Sequence, residues 1–319
     1  MNSTLRILGT GASAASSRHC PSCQVFNIGS KYYMVDCGET ASFRLAQVGI
    51  NPIKISKIFI THIHADHFLG LPGMIYTLQL RGAKRLEVYG PKGMKQALMP
   101  LLTLYGNALK MELDIIELAD GVSELVCKDD RLTVYSLPLE HSVPCIGYKF
   151  LQTDGCLEVP DELILKHNLS QAQIERLESG LSSAKLEPSE VCRRHKPFSY
   201  AYMCDTRYLP ELVPLIKGCS VLYHETTFLR SDRQRAEHTL HSTTEQAASI
   251  ARDSDVGMLL IGHYSCRYIY KGHIKKFLSQ TKPIFPYTLA ASEMMKLDMR
   301  KGRRICFSFP SMIEEMLLN

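Results

Sequence analysis

Thr61-His62-Ile63-His64-Ala65-Asp66-His67 is the stretch on which the reading of this 319-residue chain turns. It follows directly on Lys57 to Ile60, an apolar run that reads as a buried strand. His62 and His64 lie two apart on a turn leaving that strand, so both rings can converge on one ion. Asp66 and His67 follow closely enough to hold a second. Neutral imidazoles with a carboxylate suit zinc or a similar divalent metal. Two such ions roughly 3.5–4 Å apart can share a water and lower its pKa toward ~7, so the segment points to a hydrolytic centre. An exposed polar loop is the competing reading, and the apolar strand that leads straight into the segment argues against it.

Working outward, Phe68 to Leu80 has helical apolar spacing. Leu86 to Tyr89 reads as a strand, Gly90-Pro91-Lys92-Gly93 as a turn, and a helix continues through Leu104. Upstream, Leu5 to Leu8, Val25 to Ile28 and Tyr32 to Val35 are strand-like, and Asp36-Cys37-Gly38 breaks the pattern before a helix over Thr40 to Val48. Downstream strands are expected at Leu132 to Leu137, Ile146 to Leu151, Tyr200 to Met203, Val221 to Tyr223 and Met258 to Ile261. The last three lead into Asp205, His224 and His263, residues able to ligate a metal, and polar residues at strand ends are how α/β scaffolds present a site. His141 follows Leu137 to Glu140 in the same way. Taken singly, His141, Asp205 and His263 are equally well explained as surface or hydrogen-bonded core residues. Together with the first segment they supply enough donors for two ions. His19, His167, His195, His238 and His273 fall in loop or arm contexts and are given no ligand role.

Val159 to Phe198 is a charged segment with helical runs, Gln171 to Leu177 among them, and reads as an inserted arm on one large domain spanning 1–319. Ile305 to Phe309 reads as a short strand near the end. A hydrophobic fraction of 45% and a charged fraction of 22% exclude a disordered chain. The net charge of +5 is spread over small clusters such as Lys84-Arg85, Arg193-Arg194 with Lys196, Lys275-Lys276 and Arg300 to Arg304. That pattern accommodates a polyanionic partner without requiring one. Met1 to Arg6 shows no basic leader, and no apolar run approaches a membrane span, so the expectation is a cytoplasmic protein with no membrane partner. The 11 cysteines then read as reduced, mostly buried thiols. Cys20-Pro21-Ser22-Cys23 has metal or redox spacing, but no second pair completes a zinc ribbon, so it reads as a loop with two incidental thiols.

His62, His64, Asp66 and His67 match the His-x-His-x-Asp-His signature of the metallo-β-lactamase superfamily, and further features resemble its ribonuclease Z branch, the tRNA 3′-processing endonucleases. Gly70-Leu71-Pro72-Gly73 follows the signature, and His141 precedes Val143-Pro144 and Gly147-Tyr148. Asp205-Thr206-Arg207 follows a strand. His224-Glu225-Thr226-Thr227-Phe228 resembles a His-Glu-Ala-Thr box, His241-Ser242-Thr243 a His-Ser-Thr box, and His263-Tyr264-Ser265 with Arg267-Tyr268 completes the order. The arm lacks the Gly-Pro-rich stretch that many of these enzymes carry.

The resemblance implies a four-layer αβ/βα sandwich and two Zn2+ per chain. It implies that one ion is held by His62, His64 and His141 and the other by Asp66, His67 and His263, with Asp205 bridging. It also implies an endonuclease that removes the 3′ trailer of precursor tRNA, commonly as a homodimer, with the arm at 159–198 as a tRNA-binding exosite. On chemical grounds Asp66 can accept a proton from the attacking water, His241 can supply one to the leaving ribose oxygen, and Glu225 can orient His241. Ser242 to Glu245 also resembles a helix capping box, with Ser242 or Thr243 as the cap and His241 left free to point into the site. Two rivals stand beside this reading. A small-molecule phosphodiesterase or sulfatase of the same fold would need the same donors but not the arm; a non-catalytic nucleic-acid module would have no use for an intact donor set.

Overall fold

The computed structural model describes residues 3–299 other than 17, 29, 105–108, 154–156, 195–196 and 269–271, together with 307–308. Lys196 and the whole Arg300 to Arg304 cluster therefore lie outside the described residues, as does most of the strand expected at Ile305 to Phe309.

The chain opens with strands β1 (Ser3–Gly9), β2 (Cys23–Ile28) and β3 (Lys31–Val35), paired antiparallel. Helix α1 (Ala41–Gln47) then leads to β4 (Ile55–Phe59), helices α2 (Ala65–Phe68) and α3 (Gly70–Leu80) to β5 (Arg85–Pro91), and α4 (Met94–Thr103) to β6 (Glu112–Leu118). These three connections join parallel strands, because a helix crossover returns the chain to the same edge before the next strand.

The second sheet begins with β7 (Leu125–Lys128), β8 (Leu132–Pro138) and β9 (Ile146–Gln152). A protruding segment follows: β10 (Leu157–Glu158), α5 (Asp161–His167), α6 (Gln171–Glu178), α7 (Pro188–Val191) and β11 (Arg193–Arg194). The sheet resumes at β12 (Ser199–Met203), then α8 (Val213–Ile216), β13 (Val221–Glu225), α9 (Arg233–Thr239), α10 (Thr244–Asp253), β14 (Leu259–Gly262), α11 (His273–Thr281) and β15 (Thr288–Ala290). Finally β16 (Lys296–Asp298) and β17 (Phe307–Ser308) return to the first sheet, giving orders β17-β16-β1-β2-β3-β4-β5-β6 and β15-β14-β13-β12-β9-β8-β7.

Three apolar clusters show how the layers stack. Phe26, Tyr33, Phe59, Tyr148, Phe150, Tyr200, Tyr202 and Tyr223 fill the space between the two sheets. Met34, Ile58, Leu71, Ile75 and Leu98 lie between the first sheet and α1, α3 and α4, while Leu222, Ile250, Ile261 and Phe277 do the same for the second sheet and its helices. Strands buried on both faces read as continuous apolar runs, which is why β12, β13, β14 and the Ile58-Phe59 end of β4 were legible. The result is the four-layer αβ/βα sandwich, with the loops after β4, β12, β13 and β14 gathered at one edge of the paired sheets.

Candidate metal centre and active site

β3 and β4 end side by side, and the connection is made by one side chain. Asp36, fully buried, accepts hydrogen bonds from the Thr61 amide at 2.8 Å, the Thr61 hydroxyl at 2.9 Å and the Tyr202 hydroxyl at 2.9 Å. Its Oδ2 also meets His67 Nδ1 at 2.7 Å, which turns the other ring nitrogen toward the cleft. His62, His141 and His263 are oriented in the same manner. Their Nδ1 atoms meet the Thr61 hydroxyl at 3.0 Å, the Leu240 carbonyl at 3.1 Å and the Thr227 hydroxyl at 2.9 Å, leaving each Nε2 facing inward.

His62, His64, His141 and Asp205 then present donor atoms within 4.8 Å of one another, and so do His67, Cys204, Asp205 and His263. Asp205 belongs to both groups through different oxygens. Its Oδ2 lies 3.5 Å from His62 Nε2 and 3.7 Å from His141 Nε2, while Oδ1 lies 3.6 Å from His67 Nε2 and 3.0 Å from His263 Nε2. Asp66 Oδ2 stands beside the second group, 3.7 Å from His67 Nε2 and 3.6 Å from His263 Nε2. The structure thus brings together all seven residues singled out in the sequence. Asp205 and His263 both hold positive φ, 50° and 60°, a strained conformation for residues with side chains and one that clusters at functional sites.

The electrostatics fit a cation. Burial alone would raise Asp66 and Asp205, yet the surrounding histidines hold both carboxyls below the usual range. Burial alone would lower His67, yet Asp36, Asp205 and Asp66 push it up to about 10. His62, His64 and His141 are lowered chiefly by burial, so they stay neutral and available as ligands. Ionised carboxylates beside the neutral imidazoles of His62, His64 and His141 make a donor set suited to divalent metal, and a cation at His67 Nε2 would take the place of the proton that the carboxylates hold on that ring. Cys204 is a thiol rather than a thiolate there, because burial and the neighbouring Asp205 push it well up; its Sγ donates to Asp205 Oδ1 at 3.1 Å.

Glu225 and His241 form an adjoining pair. The fully buried Glu225 carboxylate meets His241 Nδ1 at 2.8 Å and accepts from the Thr206, Thr227 and Ser242 amides at 3.1, 2.8 and 2.9 Å. Burial would lower His241, but Glu225 overrides it and raises the ring to about 9. The His241 ring centroid is 4.8 Å from that of His141 and 5.6 Å from that of His263, so it borders both donor groups.

The structure sharpens three sequence readings. Among the described residues His224 joins no donor group; it is buried in β13, and its Nδ1 meets the Glu225 carbonyl at 2.8 Å. Of the two residues able to cap α10, Thr243 does so, in a capping box with Gln246, while the Ser242 hydroxyl is taken up by the Thr206 carbonyl at 2.7 Å. His19 lies in a loop as expected, while His273 opens α11; both are buried, and they are neighbours, Nε2 to Nε2 at 3.1 Å. Sequence reasoning also missed Asp36, Thr61 and Thr227 as orienting residues. The break at Asp36-Cys37-Gly38 after an apolar strand was the available signal.

The Porphyromonas gingivalis (strain W83) ribonuclease Z is 35% identical over 303 residues, which cover 93% of this chain and 99% of the relative. The Parabacteroides distasonis ribonuclease Z is 34% identical over 92% of this chain and 98% of its own. The chain belongs to the ribonuclease Z family. In keeping with that, the crystal structure of the human short-form tRNase Z superposes with a TM-score of 0.69 at 22% identity, over 93% of this chain and 99% of that one. A metallo-β-lactamase fold protein of Bacillus subtilis superposes at 0.66 with 16% identity, over 92% and 98%. These two likenesses show the metallo-β-lactamase fold. Residues 3–123 also match the family model of the anti-Pycsar protein Apyc1. A ribonuclease Z chain with this donor set implies a divalent metal. Among the described residues no helix is long and apolar enough to cross a membrane.

Proposed function

We propose that this chain is a zinc-dependent endoribonuclease that removes the 3′ trailer from precursor tRNA and leaves a 3′-hydroxyl on the tRNA. Family membership supports the substrate, and the single observation that supports the chemistry is Asp205, whose two oxygens face two separate imidazole groups. In this reading His62, His64 and His141 would hold one Zn2+ and Asp66, His67 and His263 the other, with Asp205 available to both. When bound, such a pair supplies Lewis acidity at the scissile phosphate and a water acidified toward a pKa of ~7.

The chain's own residues supply the rest. Asp66, kept ionised, accepts the proton of the attacking water. As the phosphorus–oxygen bond to the ribose 3′ oxygen breaks, that oxygen needs a proton, and His241 stands at the border of both donor groups with one held on it by Glu225. Glu225 in turn is fixed by three backbone amides, so the imidazole is oriented before substrate arrives. Precursor tRNA as partner, a cytoplasmic location and a homodimeric state belong to the same reading.

The test is direct: purified protein is analysed for metal and assayed on a precursor tRNA beside a small chromogenic phosphodiester. Close to two zinc ions per chain and cleavage at the trailer junction are expected. A fully active preparation with zero or one ion overturns the dinuclear arrangement; hydrolysis of the small ester with no tRNA cleavage overturns the substrate.

A further inference from the structure

The mechanism leaves unused a polar cluster on the far side of Asp66. The connection between β1 and β2, residues 10–22, folds over the edge of the sandwich. Its two ends are stitched by Gly11 N to the Cys20 carbonyl at 2.9 Å, and its start is pinned to the segment after His263 by Ala12 N to the Tyr264 carbonyl at 3.0 Å and Tyr264 N to the Thr10 carbonyl at 2.8 Å. Glu293, on the turn between β15 and β16, meets both ends of the loop on one oxygen. Its Oε1 accepts the Thr10 hydroxyl at 2.7 Å and the Cys20 amide at 3.1 Å, and lies 3.2 Å from His19 Nδ1. His19 Nε2 is 3.1 Å from Nε2 of His273, the first residue of α11. Burial would raise the Glu293 carboxyl, but the bond from His19 and the Thr10 hydroxyl hold it below the usual range, so it is an ionised acceptor.

From that closed loop one backbone donor points at the active site. Ser13 takes a φ of 68°, a left-handed conformation that a serine holds only when its surroundings impose it, and its amide donates to Asp66 Oδ2 at 2.5 Å. We propose that Glu293 is a positioning residue for Asp66: it closes the loop from Thr10 to Cys20, and the closed loop fixes the Asp66 carboxylate through the Ser13 amide. The inference rests on the reading that Asp66 serves the metal centre. Physically, a carboxylate that is only partly enclosed keeps alternative rotamers, and a fixed amide removes that freedom before metal or substrate binds.

The test uses the full-length protein with Glu293→Ala and Glu293→Gln, read by three measurements: amide exchange of the segment containing Ser13, zinc affinity by competition with a chelator, and steady-state kinetics. Glu293→Ala should speed exchange at Ser13 and weaken the second zinc by about 10–100-fold. It should lower kcat by at least about tenfold on both precursor tRNA and the small phosphodiester with little change in KM, because a misplaced group costs turnover rather than binding. Glu293→Gln keeps an acceptor oxygen for Thr10 and Cys20 and should recover most of each effect. If Glu293→Ala does not fold, Thr10→Val removes one of the three donors and must still speed Ser13 exchange. A folded Glu293→Ala with unchanged Ser13 exchange and unchanged kcat overturns the proposal, as does a Gln variant no better than Ala. Should the wild type fail to cleave RNA, the functional reading falls, while exchange and zinc affinity still decide the role of Glu293.

Discussion

His241 carries the largest single consequence at the scale of one residue. It shares a third possible donor group with Glu225 and His263, but its Nδ1 is engaged by Glu225 and it belongs to neither group that meets Asp205, so removing it should leave the metal in place. His241→Ala is therefore expected to retain two zinc ions and to lose about 10²–10⁴-fold in turnover on RNA, the usual weight of a general acid. Loss of zinc, or unchanged turnover, would show that the ring serves another purpose. Asp36 is the complementary case, since it touches a proposed ligand and not the ion. Asp36→Asn keeps the shape but replaces the anion that braces His67, and about 10–100-fold in metal affinity should go with it, measured by chelator competition. The two residues also differ in how visible they were. His241 sits in a box of recognisable order, whereas Asp36 acts through a hydrogen bond to a side chain 31 positions away, a pairing that only the closure of β3 against β4 creates.

Among the elements, visibility followed burial. β4, β12 and β13 sit inside their sheets and show as apolar runs, while the strands of the two large sheets absent from the sequence reading, β6, β7, β15 and β16, are sheet edges or three-residue pieces. β6 is half-exposed along most of its length, so Glu112 to Leu118 lacks the apolar continuity of a central strand. The helix after the metal segment shows what pattern reading leaves out even when it succeeds. Gly70 and Gly73 look alike in Gly70-Leu71-Pro72-Gly73, but a Cβ on Gly70 would stand 2.0 Å from the Gly38 carbonyl oxygen, whereas one on Gly73 meets nothing within 4 Å. Gly70 opens α3 directly behind α2, which carries Asp66 and His67. Gly70→Ala should therefore cost about 1–3 kcal/mol in chemical denaturation and weaken metal binding, as overpacking does. Gly73→Ala lies inside the helix with room to spare and should be neutral or stabilising by up to about 1 kcal/mol. Equal effects at the two positions would mean that the close approach of α3 to the β3 turn does not matter.

At the scale of the whole molecule, the segment from β10 to β11 is the part with no role in the metal edge. It is inserted between β9 and β12, neighbours in the sheet, and β10 pairs with β11, so the two ends of the insertion already stand together. It also packs on itself, through Val159, Leu169, Leu177 and Val191. Deleting Asp161 to Arg194 across a short Gly-Ser linker should consequently spare both sheets and all seven proposed ligands. We propose that this arm grips the body of the tRNA, and the charge count sets the size of the effect. Residues 159–198 hold six acidic and six basic side chains, so the arm is not a positive field as a whole. Arg193 is paired with Glu162 at 2.7 Å, while Lys185 and Arg194 are exposed and have no ion-pair partner among the described residues. Two or so phosphate contacts would change the slope of log affinity against log salt by about 2, a measurable but partial share of tRNA binding. Such contacts position the substrate without reading its sequence. The deletion is expected to keep two metals and hydrolysis of a small phosphodiester, to raise KM on precursor tRNA with kcat less affected, and to flatten the salt dependence by that amount. If the arm is instead a strut between subunits, the deletion will shift the sedimentation coefficient toward a monomer. If it is a passive insertion, both substrates will respond alike at low and high salt, and the exosite assignment goes.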